Sequence, residues 1–273
     1  MIVYLCALAK NEHLYINEWV SHYVNLGFDK IFLFDNDDKD SPYIKDFIDE
    51  EYQDKVRVIN ARGVHRKNMQ GEFYTNFYEI QKDNFDWCLF CDIDEFLVGI
   101  DNIKKFLNNR VFDRYNQIRV RWKLFGDDDI IERDTTKPVF GAFVNEITKP
   151  LTKDLNGICG LHKQGKAFVR GHLKGVVFDS VHFANIGSII IRSCLPSGKP
   201  CFSGVEIHED YSKESVFLHH YMTKSLSEFI KQKMNRTDAV FANRQLKLNY
   251  YWRLNTKTEE KIRYLQDLGL IDK

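Results

Sequence analysis

Residues 87–96 read WCLFCDIDEF, an apolar run that ends in a cluster of acidic side chains. A short apolar run of this kind predicts a fully buried strand, here Trp87–Asp94, of the sort found in parallel sheets. At its end stand the carboxylates Asp92, Asp94 and Glu95. On a strand, Asp92 and Asp94 would share one face, so both could approach a single hard cation. The alternative interpretation is a solvated acidic turn.

Two cysteines, Cys88 and Cys91, lie inside the same run. Residues three apart on a strand point to opposite faces, so we expect buried thiols rather than a zinc or redox pair. The six cysteines of the chain are too sparse for a disulfide scaffold. Reduced cysteines and an N-terminus without the features of a signal peptide together predict a cytoplasmic protein.

Working outward, strand and helix patterns alternate through the first half of the chain. Apolar periodicity and a following Gly27 predict a helix that ends at Leu26. The predicted strands are Ile2–Leu8, Lys30–Asp35 and Lys55–Asn60, and the predicted helical stretches are Glu12–Leu26, Pro42–Ile48 and Gly71–Gln81. This alternation predicts an α/β fold with a mainly parallel sheet covered by helices on both faces.

The second half has a different pattern. Gln117–Phe125 is a longer alternating strand, and residues 135–220 have the pattern of short strands and loops. Capping boxes that begin at Ser225 and at Thr256 predict two final helices, the second of which stops at Gly269. An α/β half followed by an irregular half is therefore expected, within a single domain.

Composition excludes several classes of protein. The 273 residues are 44% hydrophobic and 29% charged, which is typical of a globular protein and not of a disordered or coiled-coil chain. Lys and Arg equal Asp and Glu at 39 each, so a partner bound mainly through nucleic-acid phosphates is disfavoured. No run approaches the roughly 20 apolar residues of a membrane helix, so no transmembrane segment is expected.

Polar residues also follow the first two predicted strands. In a parallel sheet these residues lie at the same edge as Asp92, where ligands of open α/β sheets bind. Asp35 and Asn36 could hydrogen-bond a base or ribose, or could simply form an Asx turn. Lys10 could meet a phosphate, while Asn11 or Glu12 could cap the next helix. The chain has no GxGxxG and no GxxxxGK[ST], so neither a dinucleotide site nor a P-loop is indicated.

Three later positions could complete a site at this edge. His220 could ligate a metal ion together with Asp94, although a histidine at the end of an apolar strand is often structural. Lys224 and the basic residue Arg66 could contact phosphate. The run Asp127–Asp129 could supply a general base toward a hydroxyl, with a solvated turn as the alternative.

The order of five sequence blocks resembles glycosyltransferase family 92 and its relatives among family-2-like transferases. The blocks are ALAKNEHLYINEWVSHYVNLGFDKIFLFDND at 7–37, DIDEF at 92–96, RWKLFG at 121–126, VHF at 181–183 and HHYMTKSLSEFIKQK at 219–233. The resemblance runs from about residue 2 to about residue 236 and implies a GT-A fold. It also implies that Asp92 and Asp94 are the DxD motif, which holds Mn²⁺ or Mg²⁺ and the sugar nucleotide.

The same resemblance implies roles for other residues. His220 matches a third metal ligand with Lys224 beside it, and Asp35 and Asn36 match positions near the nucleoside. Lys10, Asn11 and Glu12 match a block in the first loop, and Gln70 lies where similar sequences carry polar donor-site residues. Arg66, in a basic cluster after the third predicted strand, is a further donor-site candidate from the residues alone. Asp127, Asp128 and Asp129 stand where small polar residues are expected, which leaves the general base open.

The resulting hypothesis is a metal-dependent hexosyltransferase, of galactose type and inverting. It would move sugar from a UDP-sugar to a glycan or glycolipid hydroxyl in surface polysaccharide synthesis, in the cytoplasm with peripheral association at the inner membrane. The expected organisation is one domain, 1–273, with a nucleotide-sugar half (1–100), an acceptor half (101–236) and a C-terminal helical extension (237–273). The alternatives are a sugar-nucleotide nucleotidyltransferase and a non-catalytic nucleotide- or glycan-binding protein.

Overall fold

Parallel strands form the centre of the molecule. The computed structural model describes residues 1–147, 163–187, 189–202, 204–205, 207, 209–210, 212–234 and 246–272. Its strands are β1 (Val3–Ala9), β2 (Lys30–Asp35), β3 (Val56–Asn60), β4 (Trp87–Phe90), β5 (Glu95–Val98), β6 (Gln117–Leu124), β7 (Gly165–Arg170), β8 (Val176–Ser180), β9 (Phe183–Ile186), β10 (Ile189–Ile190), β11 (Ser193–Cys194), β12 (Pro200–Cys201) and β13 (Phe217–His220).

The strand order of the large sheet is β12-β11-β6-β7-β4-β1-β2-β3. Strands β3, β2, β1 and β4 are parallel, and the register pairs Ala9 with Asp35 and Asp35 with Asn60. Their carboxyl ends therefore meet at one edge, as the sequence predicted. β7 is antiparallel to both β4 and β6. The predicted α/β class with a mainly parallel central sheet is confirmed, and the arrangement agrees with the GT-A-like fold that the resemblance implies.

Helices cover both faces of this sheet. Helix α1 (Ile16–Asn25) buries Trp19 and Tyr23 in the larger core. Helix α2 (Met69–Gln81) buries Tyr74 and other aromatic residues in a second core on the opposite face. The remaining helices are α3 (Ile103–Leu107), α4 (Leu226–Glu228), α5 (Leu248–Tyr251) and α6 (Glu259–Asp267). None of the helices within the described ranges is long and apolar enough to cross a membrane.

The predicted strand Trp87–Asp94 is wrong at its C-terminal end. The strand stops at Phe90, and Asp92 and Asp94 lie in a turn before β5. The turn closes on itself, because the Asp92 amide donates to Glu95 Oε2 at 3.1 Å and the Glu95 amide donates to Asp92 O at 3.2 Å. Acidic residues that compete for backbone amides favour turns over strands. Asp92 and Asp94 consequently leave a turn, not one face of a strand.

Two other local predictions also need correction. The helical stretch predicted from Pro42 is only a short 3-10 turn, Ile44–Phe47, whose first amide is held by Asp35 Oδ2 at 3.2 Å. Helix α6 begins one residue after Thr258, which caps it, and not at the predicted Thr256. The first segment forms no α-helix, whereas the second error is a shift of two residues at a helix end. The predicted stop at Gly269 is confirmed by its positive φ of 68°.

The predicted capping box at Ser225 and Glu228 is confirmed, and it opens α4. Beyond it the chain does not continue as an α-helix but widens into a π-helical turn, Phe229–Lys233, closed by the Met234 amide on Phe229 O at 2.8 Å. Side chains of α4, α5 and α6 share a small core that includes Leu226, Phe229, Tyr251 and Leu265.

Strand β13 links the two halves of the chain at the carboxyl edge. It lies antiparallel to β5, with His220 opposite Glu95, and parallel to β6, with His220 opposite Leu124. This pairing fixes His220 beside the turn that carries Asp92 and Asp94. As expected, Cys88 and Cys91 are buried and unpaired, and burial raises the pKa of each thiol well above its usual range.

Candidate active site

Asp94 lies at the centre of a buried group of charged side chains. Its Oδ1 lies 3.3 Å from His220 Nε2, and its Oδ2 accepts a hydrogen bond from the Lys233 ammonium. Burial alone would raise the pKa of Asp94, but Lys233 and His220 hold it well below the usual range. Asp94 and His220, which the sequence predicted as ligands of one metal ion, do lie side by side, while their binding of a metal stays a prediction. Lys233 was not predicted, and it reaches the site from the π-helical turn.

Asp92 has its own partners. Its Oδ1 accepts a hydrogen bond from Gln70 Nε2 at 2.8 Å, and its Oδ2 lies 2.8 Å from Lys166 Nζ. The side chain remains 33% exposed, whereas Lys166 is fully buried on β7. Burial opposes the negative charge, but Lys166 lowers the pKa of Asp92 below its ordinary value. The structure thus brings Gln70, a predicted donor-site residue, into contact with Asp92, and its binding of a donor stays a prediction.

Glu95 is the third carboxyl group of the turn, and it is fully buried. Its Oε1 lies 3.9 Å from Lys166 Nζ and 3.8 Å from His220 Nδ1. Burial raises the pKa of Glu95 well above its usual range, and Lys166 offsets this only in part. Glu95 therefore favours the neutral, protonated form. Burial likewise lowers the pKa of His220 despite the opposing charge of Asp94, which favours a neutral imidazole ring.

Lys224 is a third buried ammonium near the same carboxylates. Its Nζ lies 3.7 Å from Glu12 Oε2 and 4.0 Å from the centre of the Tyr15 ring. Within the part of the chain that the structure describes, this ammonium has no hydrogen-bond partner. Burial lowers the pKa of Lys224, although Glu12 opposes the shift. The donor-site prediction for Lys224 and Glu12 thus rests on two residues that the fold places together.

The residues of this site do not form a ready set of ligands for a divalent ion. Across residues 1–147, 163–187 and the other described ranges, no group of three His, Cys, Asp or Glu side chains is placed to hold a metal. Each aspartate of the motif instead faces a lysine, Asp92 facing Lys166 and Asp94 facing Lys233. Binding of Mn²⁺ or Mg²⁺ stays a prediction.

The loops after β1 and β2 are joined by buried polar contacts. Asp37, which sequence reasoning left unassigned, accepts from the Asn11 amide at 2.6 Å and lies 3.0 Å from His13 Nε2. The Asp35 carboxylate accepts the amides of Asp37 and of the 3-10 turn. Asn36 donates from Nδ2 to two backbone carbonyl groups, at 2.9 and 2.7 Å. Both predicted nucleoside contacts are therefore side chains that already shape the loops at this edge.

More exposed candidates surround these loops. Lys10 lies 3.5 Å from Asp38 Oδ1, and His65 Nε2 lies 2.9 Å from the same oxygen. Arg66 forms an exposed ion pair with Glu72 of α2. Lys10 therefore lies at the edge of the sheet that the sequence predicted. Among the described residues, Arg66 makes its ion pair with Glu72 and no contact with Asp92 or Asp94.

The predicted base residues form a separate cluster. Asp127 Oδ2 accepts from the Tyr251 hydroxyl and lies 2.6 Å from Lys261 Nζ, which also lies 2.7 Å from Asp129 Oδ1. Asp128 Oδ2 accepts the Val144 amide at 2.6 Å. These contacts tie the acidic run to the C-terminal helices. A role for Asp127, Asp128 or Asp129 as general base stays a prediction.

Sequence reasoning did not find Lys166, Lys233 or the burial of Glu95. Lys166 lies inside the apolar stretch GKAFVR, and a lysine in a predicted buried strand signals a buried partner of opposite charge. For Lys233 the pattern gave no such signal, because a π-helical turn shifts which side chains face the core.

A surface cavity lies at the opposite edge of the sheet. Its lining includes Tyr4 and Phe32 together with Lys30, the first residue of β2, and Lys55, just before β3. These positions are at the amino ends of the parallel strands, away from the acidic turn. The cavity therefore plays no part in the site described above.

Comparison with known proteins finds matches among solved structures. No protein-family model and no curated protein matches the chain. Among solved structures, TarS from S. aureus is similar with a TM-score of 0.36 and 14% sequence identity. The match covers 62% of this chain and 28% of the TarS chain, so the present chain corresponds to well under half of that protein. At this level, the likeness does not assign the chain to a family.

Proposed function

We propose that this protein is a glycosyltransferase that moves a hexose from a UDP-sugar to a hydroxyl group of a glycan or glycolipid. The observation that carries the proposal is a group of charged side chains at the carboxyl edge of a parallel sheet. The group consists of Asp92, Asp94 and His220 with the buried lysines Lys166 and Lys233. Ligands of open α/β sheets bind at that edge. The five sequence blocks that resemble family 92 support a galactose-type donor and inversion. We further propose that the enzyme acts in the cytoplasm, in the synthesis of a surface polysaccharide.

The reaction needs a site that binds a diphosphate and stabilises it as it leaves. The anomeric C–O bond of the donor breaks, and its electron pair stays with the departing nucleoside diphosphate. Buried ammonium groups strengthen this electrostatic stabilisation, because a protein interior screens charge less than water does. Lys224 and Lys233 are the two cations proposed to face the phosphates. Lys10, at the end of β1, would add a third charge at the rim of the site.

The acceptor oxygen forms the new bond to the anomeric carbon, and its proton passes to a carboxylate. We keep Asp127, Asp128 and Asp129 as the proposed source of this base. Within the run, Asp129 has a side chain that is 63% exposed, whereas that of Asp127 is 3% exposed. Asp129 is therefore the more accessible of the two to an acceptor.

The remaining donor contacts belong to the loops beside the acidic turn. Gln70 holds Asp92 at 2.8 Å and would orient this carboxylate toward the donor. The loops shaped by Asp35 and Asn36 form the neighbouring rim, where we propose that the nucleoside lies. Asn11, whose amide is held by Asp37, belongs to the same rim.

A panel of nucleotide sugars tests the proposal. Purified protein is incubated with each donor and with candidate acceptors, and release of UDP and glycosylated product are both measured. We expect one UDP-hexose to give product, and Asp94→Asn to lower the rate by about a hundredfold or more. Asp83→Asn is the matched control, since Asp83 is exposed and its partner is the surface residue His172. UDP binding without turnover would instead identify a binding protein.

A further inference from the structure

Every oxygen of the two DxD carboxylates already has a positively charged or hydrogen-bonding partner. Asp92 is held by Gln70 and Lys166, each at 2.8 Å. Asp94 is held by His220, at 3.3 Å, and by Lys233. A divalent ion at this position would have to displace two ammonium groups that are buried and tightly placed.

The lysines are fixed by further contacts. Lys233 Nζ also donates to Met222 O at 2.6 Å, and its side chain is 8% exposed. Lys166 is 0% exposed, and its Nζ lies 6.0 Å from the centre of the Trp122 ring. Neither ammonium is therefore a surface group that solvent shares with the carboxylates. Each ammonium group lies directly against one carboxylate of the motif, where a cation bound by that carboxylate would lie.

The imidazole ring of His220 also faces the acidic turn. Its Nε2 faces Asp94 Oδ1, and its Nδ1 faces Glu95 Oε1 at 3.8 Å. Nε2 is therefore the ring nitrogen engaged by a carboxylate, while Nδ1 makes no hydrogen bond among the described residues. A nitrogen that donates its proton to a carboxylate has no lone pair left for a metal.

We infer that Lys166 and Lys233 take the place of a divalent cation, and that the site binds its nucleoside diphosphate through ammonium groups without a metal ion. Lys233 offsets the negative charge of Asp94, so that the diphosphate does not meet an uncompensated carboxylate, and Lys224 adds a further buried ammonium group. Lys224, four residues beyond His220, is buried, and its Nζ lies 3.7 Å from Glu12 Oε2 in the first loop of the same edge. The inference rests on the proposed function for the identity of the ligand, but not for the displacement of the metal.

A titration with Mn²⁺ alone tests the displacement. Free Mn²⁺ is followed by its electron paramagnetic resonance signal, with no nucleotide present. Wild-type protein is expected to leave the signal unchanged, while Lys233→Met removes the ammonium and gains a binding site. Lys233→Arg keeps the charge and should gain none, and Asp94→Asn with Lys233→Met should lose the gained site. Stoichiometric binding of Mn²⁺ by the wild type would overturn the inference.

Calorimetric titration with UDP in the presence of EDTA tests the second part. The wild type is expected to bind UDP as well with EDTA as with Mn²⁺, and Lys233→Met to bind about tenfold more weakly or worse. UDP binding by the wild type that requires Mn²⁺ would contradict the inference. Failure to bind UDP under either condition would remove the proposed function, whereas the Mn²⁺ titration would still decide the displacement.

Thermal melting checks that the variants fold. If Lys233→Met does not fold, Lys166→Met puts the same question to Asp92, which is more exposed and tolerates the loss of its partner better. The wild-type titrations need no variant, and they overturn the inference on their own if they show metal binding.

Discussion

Two acidic runs in this protein, DIDE at 92–95 and DDD at 127–129, have nearly the same composition but different surroundings. Both follow a strand of the large sheet, and both meet a fully buried lysine, Lys166 in the first run and Lys261 in the second. The first run lies at the carboxyl edge of the parallel strands and leaves Asp92 33% exposed. The second buries Asp127 under Tyr251 and Lys261 and fastens α6.

This difference shows that the role of an acidic cluster depends on the residues around it and not on its own sequence. At 92–95 the carboxylates face residues from β7, β13 and the π-helical turn, so charge collects at a place where a ligand can approach. At 127–129 the same residue type closes a contact between the sheet and the C-terminal helices. We therefore expect the first run to govern ligand binding, and the buried Asp127 of the second run to govern stability, while the exposed Asp129 remains the more accessible candidate for the general base.

The largest expected effect is on stability at the second run. Lys261→Met leaves Asp127 buried without its ammonium partner, and the loss of one member of a buried ion pair costs about 3–5 kcal/mol. Urea unfolding measures the change, with Lys67→Met, at an exposed position, as the control. A decrease in the unfolding free energy of less than about 1 kcal/mol would mean that the ion pair does not stabilise the packing of α6 on the sheet.

The matching change at the first run, Lys166→Met, should separate stability from binding. Asp92 is partly exposed, so water can replace the lost ammonium and the expected cost in unfolding free energy is only about 1–2 kcal/mol. Nucleotide binding should nevertheless weaken by about tenfold or more, because the charge of Asp92 is then uncompensated. Calorimetry with UDP and urea unfolding give the two numbers. The opposite pattern, a large loss of stability with unchanged binding, would make both runs structural.

The first run contains a buried glutamate, Glu95, and the second run has none. Unfolding free energies of Glu95→Gln and the wild type, measured over a range of pH, test the protonation of this group. The pKa of Glu95 is raised in the folded protein, so its stabilising contribution is complete below the unfolded pKa and is lost as pH rises through the folded pKa. Above about pH 4.3, the unfolding free energy of Glu95→Gln should therefore gain on the wild type, by at most about 1.4 kcal/mol per pH unit. Glu51→Gln, at an exposed position, should give a flat difference. A flat difference for Glu95→Gln as well would place an ionised carboxylate there.

The smallest effect is expected for Asp128→Asn. Asp128 has a φ of 50° and accepts the Val144 amide, and asparagine tolerates that conformation and keeps an acceptor oxygen. Unfolding free energy should change by no more than about 0.5 kcal/mol. Transferase activity is measured in parallel, since a loss of a hundredfold or more would identify Asp128 as the general base.

Local pattern was enough to predict much of the fold. Lys30–Asp35 has the bounds that its apolar run predicted, and the capping box at Ser225 is present. The shared carboxyl edge followed from the parallel strands. The contact between Asp94 and His220 joins residues far apart in sequence, and the recurrence of five sequence blocks predicted it.

What could not be predicted depends on contacts that no local pattern encodes. Asp92 and Asp94 were expected on a strand. The hydrogen bonds between Asp92 and Glu95 that close the turn instead do not appear in a hydrophobicity pattern. Lys233 stands 139 positions from Asp94 along the chain, and the partner of Asp127, Lys261, comes from a helix beyond the resemblance. Ion pairs over such separations are decided by packing and emerge only when the whole chain is folded.

The widened turn at Phe229–Lys233 makes the site sensitive to chain length. Successive residues of an ordinary helix are rotated by about 100° around its axis. Deleting a single residue from this segment would swing the Lys233 side chain to another side of the helix and leave Asp94 facing an empty place. The number of residues between the capping box and Lys233, independently of their identity, therefore sets the charge that an incoming ligand meets.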